Sequence, residues 1–205
     1  DRENELINAM VQRVENGLVH VNLDNKLTTI LPHEHQIPRE RYYAGQRIKL
    51  YLEKVIKTSR GPQLVISRSM SNLVTKLFEL EIPEIKNGQV EIKAIAREPG
   101  VRSKIAVISN DPKIDPIGSC VGQKGVRIQN IMDELNGERI DVIEWSDDID
   151  KYIRAALSPA KVVALEMNET GNRAKVFVNP DQRPLAIGKS GQNVRLASRL
   201  VGIEL

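Results

Sequence analysis

Two tetrapeptides have the residue types and spacing to do chemistry: Gly122-Gln123-Lys124-Gly125 and Gly188-Lys189-Ser190-Gly191. A loop with no side chain at either end lets an anionic chain come within hydrogen-bonding distance of the backbone. Each tetrapeptide runs into an amphipathic pattern, so each feeds a helix N-terminus. Free N–H groups and the positive end of the helix dipole there face an anion. Both loops hold one lysine and one neutral polar residue between the glycines, which suits phosphate. Glycines that serve only tight turns would explain the corners but not a lysine in both. Arg127 and Gln129 follow the first loop, and Gln192, Asn193 and Arg195 the second, all within the first helical turns where a bound strand would pass. The polar amides suit base edges, although Gln129 reads equally well as solvated helix surface.

Other chemistries fail on spacing. Gly188-Lys189-Ser190 imitates the end of a nucleotide-binding P-loop, but the glycine required five residues earlier is Arg183. Gly118 and Gly122 lie too far apart for a dinucleotide-binding fingerprint. His33 and His35 flank Glu34 with no further His or Cys to complete a metal site. Cys120 reads as a small buried residue beneath the loop. No serine or cysteine has a His/Asp partner pattern. The expectation is a non-enzyme with no cofactor and no metal.

The tetrapeptides belong to a larger duplication. Gly100-Val-Arg102-Ser-Lys104-Ile-Ala-Val107 precedes the first, and Gly171-Asn-Arg173-Ala-Lys175-Val-Phe-Val178 the second. Gly100 to Gly171 is 71 positions and Gly122 to Gly188 is 66, so only the connection changed length. Arg102, Lys104, Arg173 and Lys175 recur at matching hairpin positions. Their recurrence fits either a shared contact to a nucleic-acid backbone or a shared contact between modules.

Around the loops, the order helix, strand, strand, glycine loop, helix, strand occurs twice. In the first copy, Leu73, Val74, Leu77, Phe78 and Leu80 follow helical spacing, with Ser71 as cap and Pro83 as stop. Val90 to Ala96 and Ile105 to Ile108 form a hairpin. Ile128, Ile131, Met132 and Leu135 make a helix face capped by Asn136-Gly137, and Ile140, Val142 and Trp145 a closing strand. In the second copy, Ser146 with Asp147 and Asp148 opens a helix that buries Ile149, Tyr152, Ile153, Ala156 and Leu157. Val162 to Met167 and Lys175 to Val178 are the hairpin, and Val194, Ala197 and Val201 the later helix face. Gly202 to Leu205 begins a last strand.

Upstream the texture is β, in five runs: Leu6–Val14, Leu18–Leu23, Leu27–Leu31, Ile48–Ile56 and Leu64–Ser67, with turns at Asn16-Gly17 and at Ser59-Arg60-Gly61-Pro62. Five strands in about 70 residues are the size of an oligonucleotide-binding (OB) barrel. The reading is multidomain, β plus α+β, with units at 1–70, 71–145 and 146–205 packed as a rod with little hinge freedom.

Composition agrees with three small globular units: 40% hydrophobic, 28% charged and a net charge of +3. By unit, residues 1–70 carry 11 basic and 8 acidic side chains, 71–145 carry 10 and 12, and 146–205 carry 9 and 7. The acidic middle unit must grip an anion through backbone and local charge. Aromatics at 3% exclude base stacking as the general mode of binding. One cysteine, no signal peptide and no membrane-length apolar run fit a cytoplasmic protein with no membrane association. The charged opening without an initiator methionine is expected of a piece of something longer.

Gly-x-x-Gly between a hairpin and a helix is the loop with which KH modules clamp about four nucleotides. Longer strings also match a known family: Leu77-Phe-Glu-Leu-Glu-Ile-Pro-Glu-Ile85, Ile95-Ala-Arg97-Glu98-Pro-Gly100-Val-Arg102-Ser-Lys-Ile-Ala-Val107, Asp115-Pro116-Ile-Gly118-Ser-Cys120-Val-Gly122 and Leu185-Ala-Ile-Gly188-Lys-Ser-Gly-Gln-Asn193-Val-Arg195-Leu-Ala197. Over its whole length the chain resembles the S1, KH1 and KH2 region of the NusA family of bacterial transcription elongation factors. The resemblance implies an S1 barrel of OB fold followed by two tandem KH domains of the prokaryotic type II. It implies binding of nascent single-stranded RNA and modulation of pausing, termination and antitermination. RNA polymerase would be contacted mainly through an N-terminal domain absent here, and other antitermination factors would be further partners. The alternative is an RNA-binding accessory region of an RNA-degradation or translation-related protein.

Overall fold

The computed structural model describes residues 1–24 and 26–205. Alternation of apolar and polar residues produces five antiparallel strands: β1 (Glu5–Glu15), β2 (Leu18–Leu23), β3 (Leu27–Leu31), β4 (Arg47–Thr58) and β5 (Gly61–Ser67). They pair in the order β3-β2-β1-β4-β5. Ile7, Ala9 and Val11 of β1, Val19, Val21 and Leu23 of β2, and Ile48, Leu50 and Leu52 of β4 fill one core, as period-two burial requires. Asn16 and Gly17 both take positive φ, 52° and 76°, the twist that suits a two-residue hairpin. β3 and β5 flank a common cleft without pairing, so the sheet curls into an almost closed OB barrel.

The next unit runs α1 (Ser71–Glu81), α2 (Pro83–Lys86), β6 (Val90–Glu98), β7 (Arg102–Ser109), α3 (Pro116–Val121), α4 (Val126–Glu134) and β8 (Arg139–Glu144). The sheet order is β6-β7-β8, with β8 parallel to β7. The last unit repeats it as α5 (Ile149–Ala156), β9 (Val162–Met167), β10 (Ala174–Val178), α6 (Arg183–Ile187) and α7 (Gln192–Val201). Where β8 would recur there is one parallel bridge, Arg173 to Glu204, closed by Ala174 N–H donating to the Glu204 carbonyl.

Several expectations need correction. Ser71 is the first helical residue and caps nothing. The hydroxyl at work there is Ser67 Oγ, which accepts from the amides of Ser69 and Met70 at 3.1 Å each. Leu80 is exposed, because the buried stripe of α1 is Leu73, Val74, Leu77 and Phe78. α5 starts at Asp148, whose Oδ1 accepts from the Asp150 amide, while Ser146 serves only the turn before it. Ile149 stays outside its buried face. α7 buries Asn193, Leu196, Ala197 and Leu200, leaving Val194 and Val201 at the margin. Two short helices precede the loops: α3 opens on Asp115, whose carboxylate accepts from the Ile117 amide, with Pro116 at its first position, while α6 carries Pro184 near its start and has no side-chain cap.

The three units share their interiors. Ile37 and Tyr51 of the barrel sit in the same cluster as Leu73, Phe78 and Ile131. The other face of the middle sheet, with Ala96, Ala106 and Ile143, packs on Tyr152, Ile153 and Leu196 of the last unit. Buried charges stand at the joint between the barrel and the middle unit. Arg68, 1% exposed, donates to Glu40 Oε2, to Glu134 Oε1 and to the carbonyls of Lys49 and Glu134. Glu138, fully buried, accepts from Arg97, from Ser103 Oγ at 2.8 Å and from the Gly100 amide at 2.8 Å. Arg97 Nη1 in turn donates to the Met70 carbonyl at 2.7 Å.

Removing one partner of a buried ion pair leaves an uncompensated charge. Glu138→Ala is therefore expected to cost about 3 to 5 kcal/mol, read as a loss of unfolding free energy in chemical denaturation.

Candidate nucleic-acid interface

Both glycine loops have the same backbone. Gly122 sits at φ 78°, ψ 174° and Gly188 at φ 77°, ψ 171°, a region open only to glycine. Lys124 and Ser190 follow in the left-handed region at φ 54° and 55°, then Gly125 and Gly191 at 73° and 74°. The repeat is thus written into the dihedrals. Helices α4 and α7 begin at Gly125 and Gly191 with no side chain capping their N-terminal amides. Gln123, Lys124, Lys189 and Ser190 are exposed at the tips, each loop lying between two helices. Such a corner offers backbone N–H groups, a helix N-terminus and one ammonium to a sugar-phosphate chain.

The residue two places after the last glycine holds each corner against the helix before it. Arg127 Nη1 donates to the Ser119 carbonyl and to Glu84 Oε2, both at 2.8 Å. Asn193 Nδ2 donates to the carbonyls of Ala186 at 3.1 Å and Leu157 at 3.0 Å. Asn193 is fully buried, so the expectation that it meets RNA does not hold; it is a fastener between α5, α6 and α7. Gln129 donates to Asp133 Oδ1 one turn along the exposed face of α4, and Gln192 is half-buried beside its loop. Arg195 donates through Nη1 to the Ser190 carbonyl in the second loop and through Nε to Glu98, on the middle unit. The hydrogen bond from Arg195 is the main reason the Glu98 carboxyl lies below its ordinary value.

The matching hairpin cations separate. Lys104 is fully buried and Arg102 nearly so, both on Asp141, and Lys104 Nζ also donates to the Ser158 carbonyl across the joint. Burial lowers the Lys104 pKa more than Asp141 raises it. Lys104 therefore belongs to the contact between modules and Arg102 to the middle unit's own sheet, where Asp141 holds it, and neither to an RNA surface. Arg173 and Lys175 remain exposed, Arg173 on Glu204 and Lys175 over the Phe177 ring. Apolar side chains missed from sequence stand open next to the loops: Val126 after the first, Leu185 and Ile187 before the second. Their signal was an apolar residue at a helix end that no core claims. Ile187 also lines a groove of about 810 Å³ along β10, with Phe177, Val178 and Val194.

Cys120 is buried under the first loop, and burial pushes its thiol up to about 12. Among the described residues no three His, Cys, Asp or Glu gather as a metal site, and no helix is long and apolar enough to cross a membrane.

Comparison with known proteins matches each unit. The S1 RNA binding domain model covers residues 1–67, the NusA-like first KH domain residues 68–145 and the NusA-like second KH domain residues 149–205. Proteins called transcription termination/antitermination protein NusA are similar along nearly the whole chain. That of Halalkalibacterium halodurans is 49% identical over 98% of this chain and 53% of its own length. That of Thermus thermophilus is 50% identical over 100% and 53%, and that of Bacillus subtilis 48% over 98% and 54%. The chain spans about half the length of these curated relatives.

Two outcomes follow from the geometry. A Cβ at Gly188 would lie 2.8 Å from the Asn193 amide nitrogen, whereas at Gly122 it would meet the Arg127 side chain at 2.7 Å, and at Gly125 nothing within 4 Å. Alanine should therefore destabilise most at 188, less at 122 and least at 125, over about 1 to 3 kcal/mol, in denaturant titrations. Because the Glu98 carboxyl is held low, its contribution is full above the ordinary value of 4.5 and is lost as pH falls through its folded value. Glu98→Gln should flatten the decline in stability between neutral and acidic pH.

Proposed function

The chain belongs to the NusA family, and from that premise we propose that it binds nascent single-stranded RNA and, within the whole protein, modulates pausing, termination and antitermination by RNA polymerase. The observation that carries the RNA reading is the pair of glycine corners with superimposable dihedrals, each opening on an uncapped helix. A sugar-phosphate backbone lies against the amides at Gly122–Gly125 and Gly188–Gly191. Lys124 and Lys189 neutralise phosphates, and Arg127, Gln192 and Arg195 stand beside them. Arg173 and Lys175 extend the positive surface on the last unit. The chain has no catalytic role of its own. The proposed units are 1–70, 71–145 and 146–205, a division that the three family matches support. RNA polymerase is the proposed partner of the longer protein, chiefly through an N-terminal domain, with other antitermination factors, in the cytoplasm.

Fluorescence anisotropy with labelled single-stranded RNA tests this. Affinity should be micromolar or tighter, and log affinity should fall linearly in log salt by about 0.7 per phosphate neutralised. Replacing Gln123-Lys124 and Lys189-Ser190 together by Asp-Asp leaves every glycine in place and should abolish binding. Unchanged affinity in that variant would remove the loops from the interface.

A further inference from the structure

We propose that the cavity behind the first glycine loop is a nucleobase subsite for the strand gripped at that loop, an inference that rests on the RNA-binding reading above. The cavity measures about 860 Å³. Its walls are Glu84 of α2, Gln89 at the foot of β6, Lys113 and Asp115 ahead of α3, and Gln123 and Arg127 of the loop and α4. Small-ligand sites occupy about 300 to 1,000 Å³, so one base fits. The volume is bounded by α2 on one side and by the start of α3 on the other, and Gly122 and Gln123 of the loop form part of its wall.

The lining chemistry selects a base over a phosphate. A phosphate site concentrates donors and positive charge. Here two carboxylates, Glu84 and Asp115, balance Lys113 and Arg127, and Arg127 already spends Nη1 on Glu84 and the Ser119 carbonyl. The Gln89 and Gln123 amides each offer a donor and an acceptor, matching the mixed edge of a nucleobase. The Arg127 guanidinium, tethered at two points and a third exposed, presents a plane on which an unstacked base can rest. Val126, 55% exposed at the rim, adds an apolar surface.

The duplication sharpens the inference. In the last unit the place of Arg127 is taken by Asn193, whose side chain is buried and gives its Nδ2 to two carbonyls. The two loops share a backbone grip, but the arginine-walled chamber is a property of the first. The first module therefore discriminates base identity at one position beyond its clamp, while the second has no such wall to do so.

The experiment measures anisotropy of the 205-residue chain with fluorescein-labelled single-stranded RNA in which one abasic site is moved stepwise along the strand. It compares wild type with the double variant Gln89→Ala, Lys113→Ala, both exposed positions, with circular dichroism to confirm the fold. In wild type, one abasic position beyond the clamp should weaken binding by about tenfold, the scale of one lost base contact. In the double variant that penalty should disappear while the other positions keep theirs. Superimposable abasic profiles for the two proteins overturn the subsite but leave RNA binding standing. A uniform loss of affinity for every oligonucleotide places Gln89 and Lys113 on the backbone and also overturns it. If wild type fails to bind the intact RNA, the RNA reading falls first and the subsite with it.

Discussion

The buried Glu138 carboxylate organises the middle of the molecule. It accepts from two nitrogens of Arg97, from Ser103 and from the Gly100 amide, and Arg97 passes the connection to the Met70 carbonyl where the barrel hands over to α1. One carboxylate thus ties the start of β8 to both strands of the hairpin and to the junction with the barrel. Arg68 does the same work on the other side of that junction, between Glu40 and Glu134. A buried ion costs least when its hydrogen-bonding sites are filled, which demands one geometry; both oxygens of Glu138 are filled, while Arg68 Nε and Glu40 Oε1 have no partner among the described residues. With apolar clusters that cross both joints, this requirement makes three small modules a continuous solid.

Duplication copied the backbone more faithfully than the side chains. Both corners use the same torsions, yet one is braced by an arginine with solvent access and the other by a buried asparagine. On the hairpins, Arg102 and Lys104 are buried on Asp141, Lys104 reaching across the joint to the Ser158 carbonyl, while Arg173 and Lys175 are exposed. The same residue type at the same repeat position thus serves cohesion in one copy and surface charge in the other.

The barrel was legible strand by strand because period-two patterning and the Asn16-Gly17 turn act locally. The glycine loops were legible because glycine is the only residue for the torsions at Gly122 and Gly188. Three kinds of feature were not. Lys104 and Asn193 look like surface residues by type, and their partners lie 37 and 36 positions away, beyond any local pattern. The short helices α3 and α6 are under two turns, too brief for a helical period to show. The buried stripe of α7 depends on which way α5 approaches, a fact of packing and not of the 3.6-residue repeat.

The packed joint between the two glycine corners, with its shared apolar cluster and the Arg195–Glu98 pair, has an entropic consequence. When the first corner holds a strand, the second stands at a fixed place relative to it, so its engagement becomes an intramolecular event. Its effective concentration is then set by the slack of the strand alone. A protein whose modules swung freely would dilute that second encounter. Under the proposed RNA-binding reading this one would act as a template, and strands whose spacing suits the template would gain avidity without any additional contact.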